Sequence, residues 1–232
     1  MGRAKEINVK VIPSKVANEF VKKHHYSGKV VNNSNLHFGC FLDGNLHGVL
    51  SYGSSMDKKA SSKYVKHTRW NEFLELNRMA FDEYLPKNSE SRCIAISLKL
   101  IKKNASHIKW VVSFADGTQC GDGTIYRASG FLLTGIKRNS SIFKNKEGNI
   151  ACSMTFGKSH YALNNNGSAG AHKLLESKGY KKAEGHQLRY IYLIDKTCKL
   201  NIPIIPFSKI DELNAGMYKG KKISIKERKH NA

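Results

Sequence analysis

Residues 111–131 read VVSFADGTQCGDGTIYRASGF. The apolar run from Trp110 to Ala115 is β-branched or aromatic, as a buried strand requires, and it stops at the turn pair Asp116-Gly117. Ligands of helix-covered sheets collect beyond the carboxyl ends of strands, which makes Asp116 a candidate for chemistry. A second glycine-rich turn, Cys120 to Gly123, leads into Thr124–Ala128, a segment whose composition suits one or two helical turns. Tyr126 and Arg127 are therefore expected near Asp116. The alternative is a plain strand-turn-helix connection in which the aspartate serves its own turn.

Upstream, Glu72–Phe81 reads as a strand carrying Glu75, Asn77 and Arg78. A charge on a central strand is costly to bury, so Arg78 is expected to face a polar cleft or to pair with Asp116 or Glu75. Residues 86–92 then enter a helix with Ile94, Leu98 and Ile101 on one face and Ser89 as the expected cap. The unpaired N–H groups of its first turn, with Ser91 and Arg92, suit a phosphate.

Towards the amino terminus, residues 7–12 alternate as a strand, and Pro13-Ser14 starts a helix with Val16, Ala17, Phe20 and Val21 on one side. The helix ends before Gly28, where His25-Tyr26 can point together into a cleft as metal ligands or proton shuttles; a solvated helix end explains the same pair. Residues 36–42 and 46–52, joined through Asp43-Gly44, carry the strongest hairpin signal in the chain. Gly53 to Asn71 interleaves Lys58, Lys59, Lys63, Lys66 and Arg69 with Tyr64 and Trp70, a pattern suited to nucleic acid or to a solvated loop.

Downstream, Leu132–Ile136 reads as a strand. Residues 139–170 are polar and resemble an insertion, and a helix through Leu174 and a strand at 187–194 complete the order. A catalytic domain over 1–195 and a basic extension over 196–232 are expected.

The chain has 232 residues and a net charge of +21, from 39 Lys and Arg against 18 Asp and Glu, which calls for a polyanionic partner. No signal peptide is expected, and no apolar run approaches the roughly 18 residues of a membrane span, so no membrane partner and a cytoplasmic location are expected. Five scattered cysteines without a C-x-x-C spacing argue against disulfides and structural zinc. Without an Asn/Asp-Pro-Pro-aromatic motif or a P-C-x-x-C signature, an adenine methyltransferase and a zinc deaminase are both disfavoured.

The order of elements resembles the GNAT acyltransferase fold: α/β (α+β), with a mixed, mostly antiparallel sheet flanked by helices and splayed between its fourth and fifth strands. Residues 25–27 (HYS), 76–80 (LNRMA), 113–117 (SFADG) and 123–131 (GTIYRASGF) resemble the Mom DNA-modification proteins of phages. The resemblance covers residues 6–195. It implies a phage-encoded enzyme of the bacterial host cytoplasm that converts adenine in double-stranded DNA to N6-carbamoylmethyladenine, protecting the DNA from restriction. It assigns Asp116, Tyr126 and Arg78 to catalysis, Arg78 and Ser91 to the donor, which Arg92 of the helix start is expected to join, and His25, Tyr26 and Asp116 to a bound iron (Fe2+). Acetyl-CoA or another acyl donor is expected, yet residues 87–92 contain no glycine for the usual pyrophosphate loop. The adenine must be flipped, with Tyr64, Trp70 or Tyr161 available for stacking. The reading admits a homodimer. Its rivals are an acyltransferase for a small amine, a protein or tRNA, and a non-enzymatic DNA-binding protein.

Overall fold

The structure is a computed structural model that describes residues 2–153, 167–218, 221–223 and 227. Lys158, His160, Tyr161 and much of the lysine-rich end lie outside the described residues. The chain divides into two compact units. The first comprises Met1–Ala115, Gly123–Gly135 and Leu188–Lys209, and the second Asp116–Asp122, Ile136–Gln187 and Ile210–Ala232.

The first unit is built on the sheet formed by β1 (Asn8–Val11), β2 (Ser34–Leu42), β3 (Asn45–Gly53), β4 (Phe73–Phe81), β5 (Trp110–Asp116), β6 (Leu132–Arg138) and a late strand, His186–Leu193, inserted between β5 and β6. The β2–β3 hairpin closes through Asp43 and Gly44, both at positive φ (52° and 80°), the two-residue geometry whose twist matches that of its strands. Asp43 tolerates this conformation because its carboxylate accepts from Arg3 at 2.6 Å and from the Tyr84 hydroxyl at 2.7 Å.

Alternation along β3 sends its side chains to two layers. Val49 joins Ala17 and Val21 of α1 (Ser14–His24), with Ile12 and Ala80. Tyr52 points to the other face, where its hydroxyl meets Ser97 of α3 (Ser89–Asn104) at 2.6 Å. The expected cap of α3 is displaced by one residue. Asn88 holds the cap position at φ 70°, and the Ser89 hydroxyl donates to the Pro86 carbonyl instead of capping.

Two irregularities shape β4. Ser51 pairs with Arg78 but Tyr52 pairs with Leu76, so Asn77 is an extra residue, a bulge that re-aims its neighbours. On the other edge, β4 pairs parallel with β5 only at Phe73↔Trp110, Leu74↔Val111 and Glu75↔Val112. Past Glu75 the strands part, and a hydroxyl bridges the gap, Ser113 Oγ donating to the Leu76 carbonyl at 3.2 Å. This is the splay expected from the element order. The short helix α4 (Thr124–Ala128) follows β5 in the chain and packs on α3.

Residues 53–71 are ordered, with a short helix α2 (Lys58–Ser61) capped by Asp57, which accepts from the Ala60 amide at 2.8 Å. Backbone bonds from Lys66 to Lys199 and from Asn201 to Tyr64 tie this segment down.

The second unit carries a small antiparallel sheet, β8 (Ile150–Cys152), β7 (Ile142–Lys144) and β9 (Lys181–Lys182), beside α5 (Gly167–Ser177). The polar stretch thus has its own core, since Phe143 is fully buried and packs on His172 at 5.0 Å between ring centres. With the late strand numbered β10, the strands β11 (Met217–Tyr218) and β12 (Lys221–Lys222) form a second ladder after α6 (Ser208–Glu212), and Asp122 bonds Met217 in both directions through N–H and carboxylate.

At the three-rung junction, Trp110 is fully buried, stacks on Phe73 (4.2 Å, 9°) and donates from Nε1 to Thr68 at 3.2 Å. Trp110→Ala is expected to lose about 3–5 kcal/mol, and Trp110→Phe a smaller amount, measured by denaturant unfolding. Equal losses would show that the indole bond and the ring's bulk do not contribute separately.

Candidate active site

A polar row crosses the sheet on the face that carries α1. His37 of β2 lies opposite Ser51 of β3, and Ser51 lies opposite Arg78 of β4. His37 and Ser51 are buried and share a 2.8 Å hydrogen bond. Arg78 ends the row, fixed by donation from Nε to the Lys29 carbonyl (3.0 Å) and from Nη1 to the Asn77 carbonyl (2.8 Å). Burial lowers its pKa, while Tyr26 and Glu75 act in the opposite direction. With two of five donors committed to the main chain, the guanidinium keeps donors for an incoming anion or carbonyl.

His25 and Tyr26 follow the last turn of α1, and their rings meet at 4.2 Å between centres, tilted by 32°. The His25 backbone is extended, which ends the helix before Gly28. The Ser27 amide donates to His25 Nδ1 at 3.1 Å, and the Ser27 hydroxyl lies 2.8 Å from the same nitrogen while accepting from the Lys29 amide. Nδ1 is therefore an acceptor, and neutral His25 carries its proton on Nε2. Burial, and next the positive charge of Arg78, push the His25 pKa down to about 4. At neutral pH this is an uncharged N–H donor beside a cation, a pair suited to oxygen where negative charge develops.

Two further groups belong to this surround. Glu75, the last residue of β4 paired with β5, has its pKa raised by burial, moderated by hydrogen bonds from Ser55 and Asn77. Asn77, the bulged residue, accepts from Ser34 at 3.1 Å. The sequence pointed to Glu75 only as a partner for Arg78, and gave no signal for His37 and Ser51.

The other expected residues have different partners. Tyr126 of α4 is buried among Phe131 (5.5 Å) and Tyr190 (5.3 Å), close enough to Tyr52 to raise the pKa that burial already raises there. The Ser91 hydroxyl turns back to the Asn88 carbonyl at 3.2 Å. Arg92 Nη2 donates to the Lys5 carbonyl at 3.0 Å, and Arg92 Nε is buried without a hydrogen-bond partner among the described residues. Asp116 holds its own turn. Its Oδ1 accepts from the amides of Thr118 (2.9 Å) and Gln119 (3.3 Å), and Oδ2 from the Gln119 side chain at 2.8 Å. Tyr64 is covered by Arg189 (4.0 Å), whereas Trp70 is 59% exposed with Lys58 over its ring.

Neutral His25 presents Nε2 as an N–H donor and not as a metal-binding lone pair. A ligand lone pair on His25 Nε2 would require the proton to move to Nδ1, where the Ser27 amide donates, and Arg78 repels a second cation. Among the described residues no group of three or more His, Cys, Asp or Glu could hold a metal.

Two expectations follow. Histidine-detected NMR should place the His25 pKa near 4, and Arg78→Gln should raise it while leaving it below 6.5. Because the folded value lies below the unfolded one, this group should make stability fall as pH drops from 6.5 to about 4 and leave it unchanged above. Asp116→Ala should cost about 2 kcal/mol in unfolding free energy. A loss within error of zero would remove its turn role.

The Mom protein family model matches residues 6–209. The methylcarbamoylase Mom of Escherichia phage Mu is 32% identical over 197 residues, 84% of this chain and 79% of that protein. Among solved structures, the ribosomal-protein-S18-alanine N-acetyltransferase of Escherichia coli aligns at 8% identity and TM-score 0.46, covering 82% of this chain and 94% of that one. A GNAT family acetyltransferase from Elizabethkingia anophelis with acetyl-CoA bound aligns at 14% identity and TM-score 0.44, covering 81% and 97%. With the family model spanning nearly the whole first unit and most of the second, the chain belongs to the Mom family.

Proposed function

We propose that the protein is a DNA-modifying transferase that converts adenine in duplex DNA to N6-carbamoylmethyladenine and so shields phage DNA from host restriction. The observation that carries this reading is the 32% identity, over most of the chain, to a protein named for methylcarbamoylation. The net charge of +21 supports a nucleic-acid substrate.

The forked sheet supports an acyl donor. Splayed strands leave backbone groups free to meet a ligand, and Asn88, at φ 70°, adopts a left-handed turn at the start of α3 without glycine. The amides of that first turn, with Ser91 and the unpartnered Arg92 Nε, suit donor phosphates.

The product sets a chemical requirement. Simple acyl transfer joins N6 to a carbonyl carbon, whereas the carbamoylmethyl group is joined through its methylene. Overall, a bond forms between adenine N6 and a CH2 carbon, N6 loses a proton, and the donor fragment leaves with the bonding electron pair. Arg78 and His25 Nε2–H suit the carboxamide oxygen, and Glu75, with its raised pKa, suits the N6 proton. Tyr126 suits protonation of the leaving group. A flipped adenine has Trp70 as an exposed stacking surface beside Lys58.

Mass spectrometry of nucleosides from cells expressing the protein should reveal N6-carbamoylmethyladenine. Arg78→Ala and Tyr126→Phe should lower its yield by about 10²–10⁴-fold with thermal stability retained. Unmodified DNA from cells holding folded, wild-type protein would refute the reading.

A further inference from the structure

The second unit contains a cavity of about 360 Å³ with four lysines on its walls: Lys144 of β7, Lys181 and Lys182 of β9, and Lys222 of β12. Thr118 and Met217 line it as well. Its size falls within the roughly 300–1,000 Å³ range of ligand clefts. The cations are placed by sheet register. Lys144 lies directly opposite Lys181, and like charges at opposed positions destabilise a ladder unless an anion sits between them.

Little in the unit neutralises this charge. Glu184, itself on the cavity wall, reaches Lys222 at 3.8 Å from a side chain that is 82% exposed. Among the described residues Lys144, Lys181 and Lys182 have no acid within ion-pair distance. Burial, and then Arg138 and Lys222, depress the pKa of His186. The walls are firm. Gly185 (φ 130°) packs so tightly on Thr118 that an added Cβ would approach its backbone within 2.8 Å, and Asp122 ties Met217 in place.

We propose that this lysine-walled cavity is a phosphodiester-binding site that grips the backbone of the DNA substrate, separately from the residues assigned to chemistry. The proposal rests on the DNA-modifying reading above. Lysine ammoniums suit it because they act as point charges on phosphate and read no base, so binding here is indifferent to sequence. Each phosphate neutralised releases condensed counterions, giving a logarithmic salt slope of about −0.9 per contact.

The test is fluorescence anisotropy of the full chain with a random-sequence duplex across a salt series, using the triple variant Lys144→Gln/Lys181→Gln/Lys222→Gln and the matching triple arginine variant. The glutamine variant should bind about 10- to 100-fold more weakly, with a salt slope shallower by about two to three. The arginine variant should bind like the parent. Removing the opposed like charges should also leave the melting temperature unchanged or raised, so that lost affinity is not lost fold. An unaltered slope and affinity in the glutamine variant would overturn the site while leaving the DNA-modifying reading intact. Binding of inorganic phosphate that the glutamine variant abolishes, with unaltered duplex binding, would mark a small-anion site and equally overturn it. A wild-type chain that ignores duplex DNA at low salt would sink both readings.

Discussion

A strand with two edges must satisfy both, and β4 does so over only part of its length. One edge is paired along β3, whereas the other is paired with β5 for three residues and then released. A shift of register would break the buried stack of Trp110 on Phe73, the first of the three rungs at which the strands meet. The sheet is thus pinned at one point and open beyond it. The bulge at Asn77 lies two residues past the last rung, and it sets where Arg78 projects. Opening and bulge together turn a buried central strand into a surface able to receive a ligand, at the cost of sheet hydrogen bonds that the Ser113 hydroxyl replaces only in part.

The electrostatics of the His25 cluster follow from the same geometry. Arg78 is held by main-chain carbonyls of Lys29 and Asn77, and among the described residues no carboxylate lies within ion-pair distance of it, so its charge acts on its surroundings. A neighbouring imidazole consequently stays neutral, and the Ser27 amide decides which nitrogen bears the proton. A single local turn, Tyr26 to Lys29, therefore sets the tautomer of one residue and supplies an anchor for the other.

Much of the first unit was legible because its signals are local. The Asp43-Gly44 turn, the apolar face of α1 and the face of α3 each lie within one short window. The polar row was illegible for a countable reason. A hairpin closed at Leu42↔Asn45 without interruption would set His37 opposite Leu50, but the shift between Cys40 and Phe41 skips His47 and brings Ser51 there instead. A single bulge moves every later side chain to a new partner, and His47, stacked on Tyr84 and bonded to Asp82, shows no helical or alternating pattern that announces it. The two-residue strands β9, β11 and β12 were invisible because alternation needs more residues than they have. Asp116 shows the opposite case: the turn role was visible in Asp116-Gly117 itself, while its place in any site depends on groups far away in the chain.

The reciprocal bonds between Asp122 and Met217 bear on how the gene can be shortened. Residues 196–232 read as a basic extension, yet within them the Met217 amide and carbonyl engage the carboxylate and amide of Asp122, which is only 2% exposed. A stop codon placed before Met217 would remove those two bonds and expose part of the apolar surface that Ile210, Ala215 and Met217 help to cover, since all three are buried. Such a polypeptide should collect in inclusion bodies for want of its end, so the boundary for safe trimming lies beyond β12.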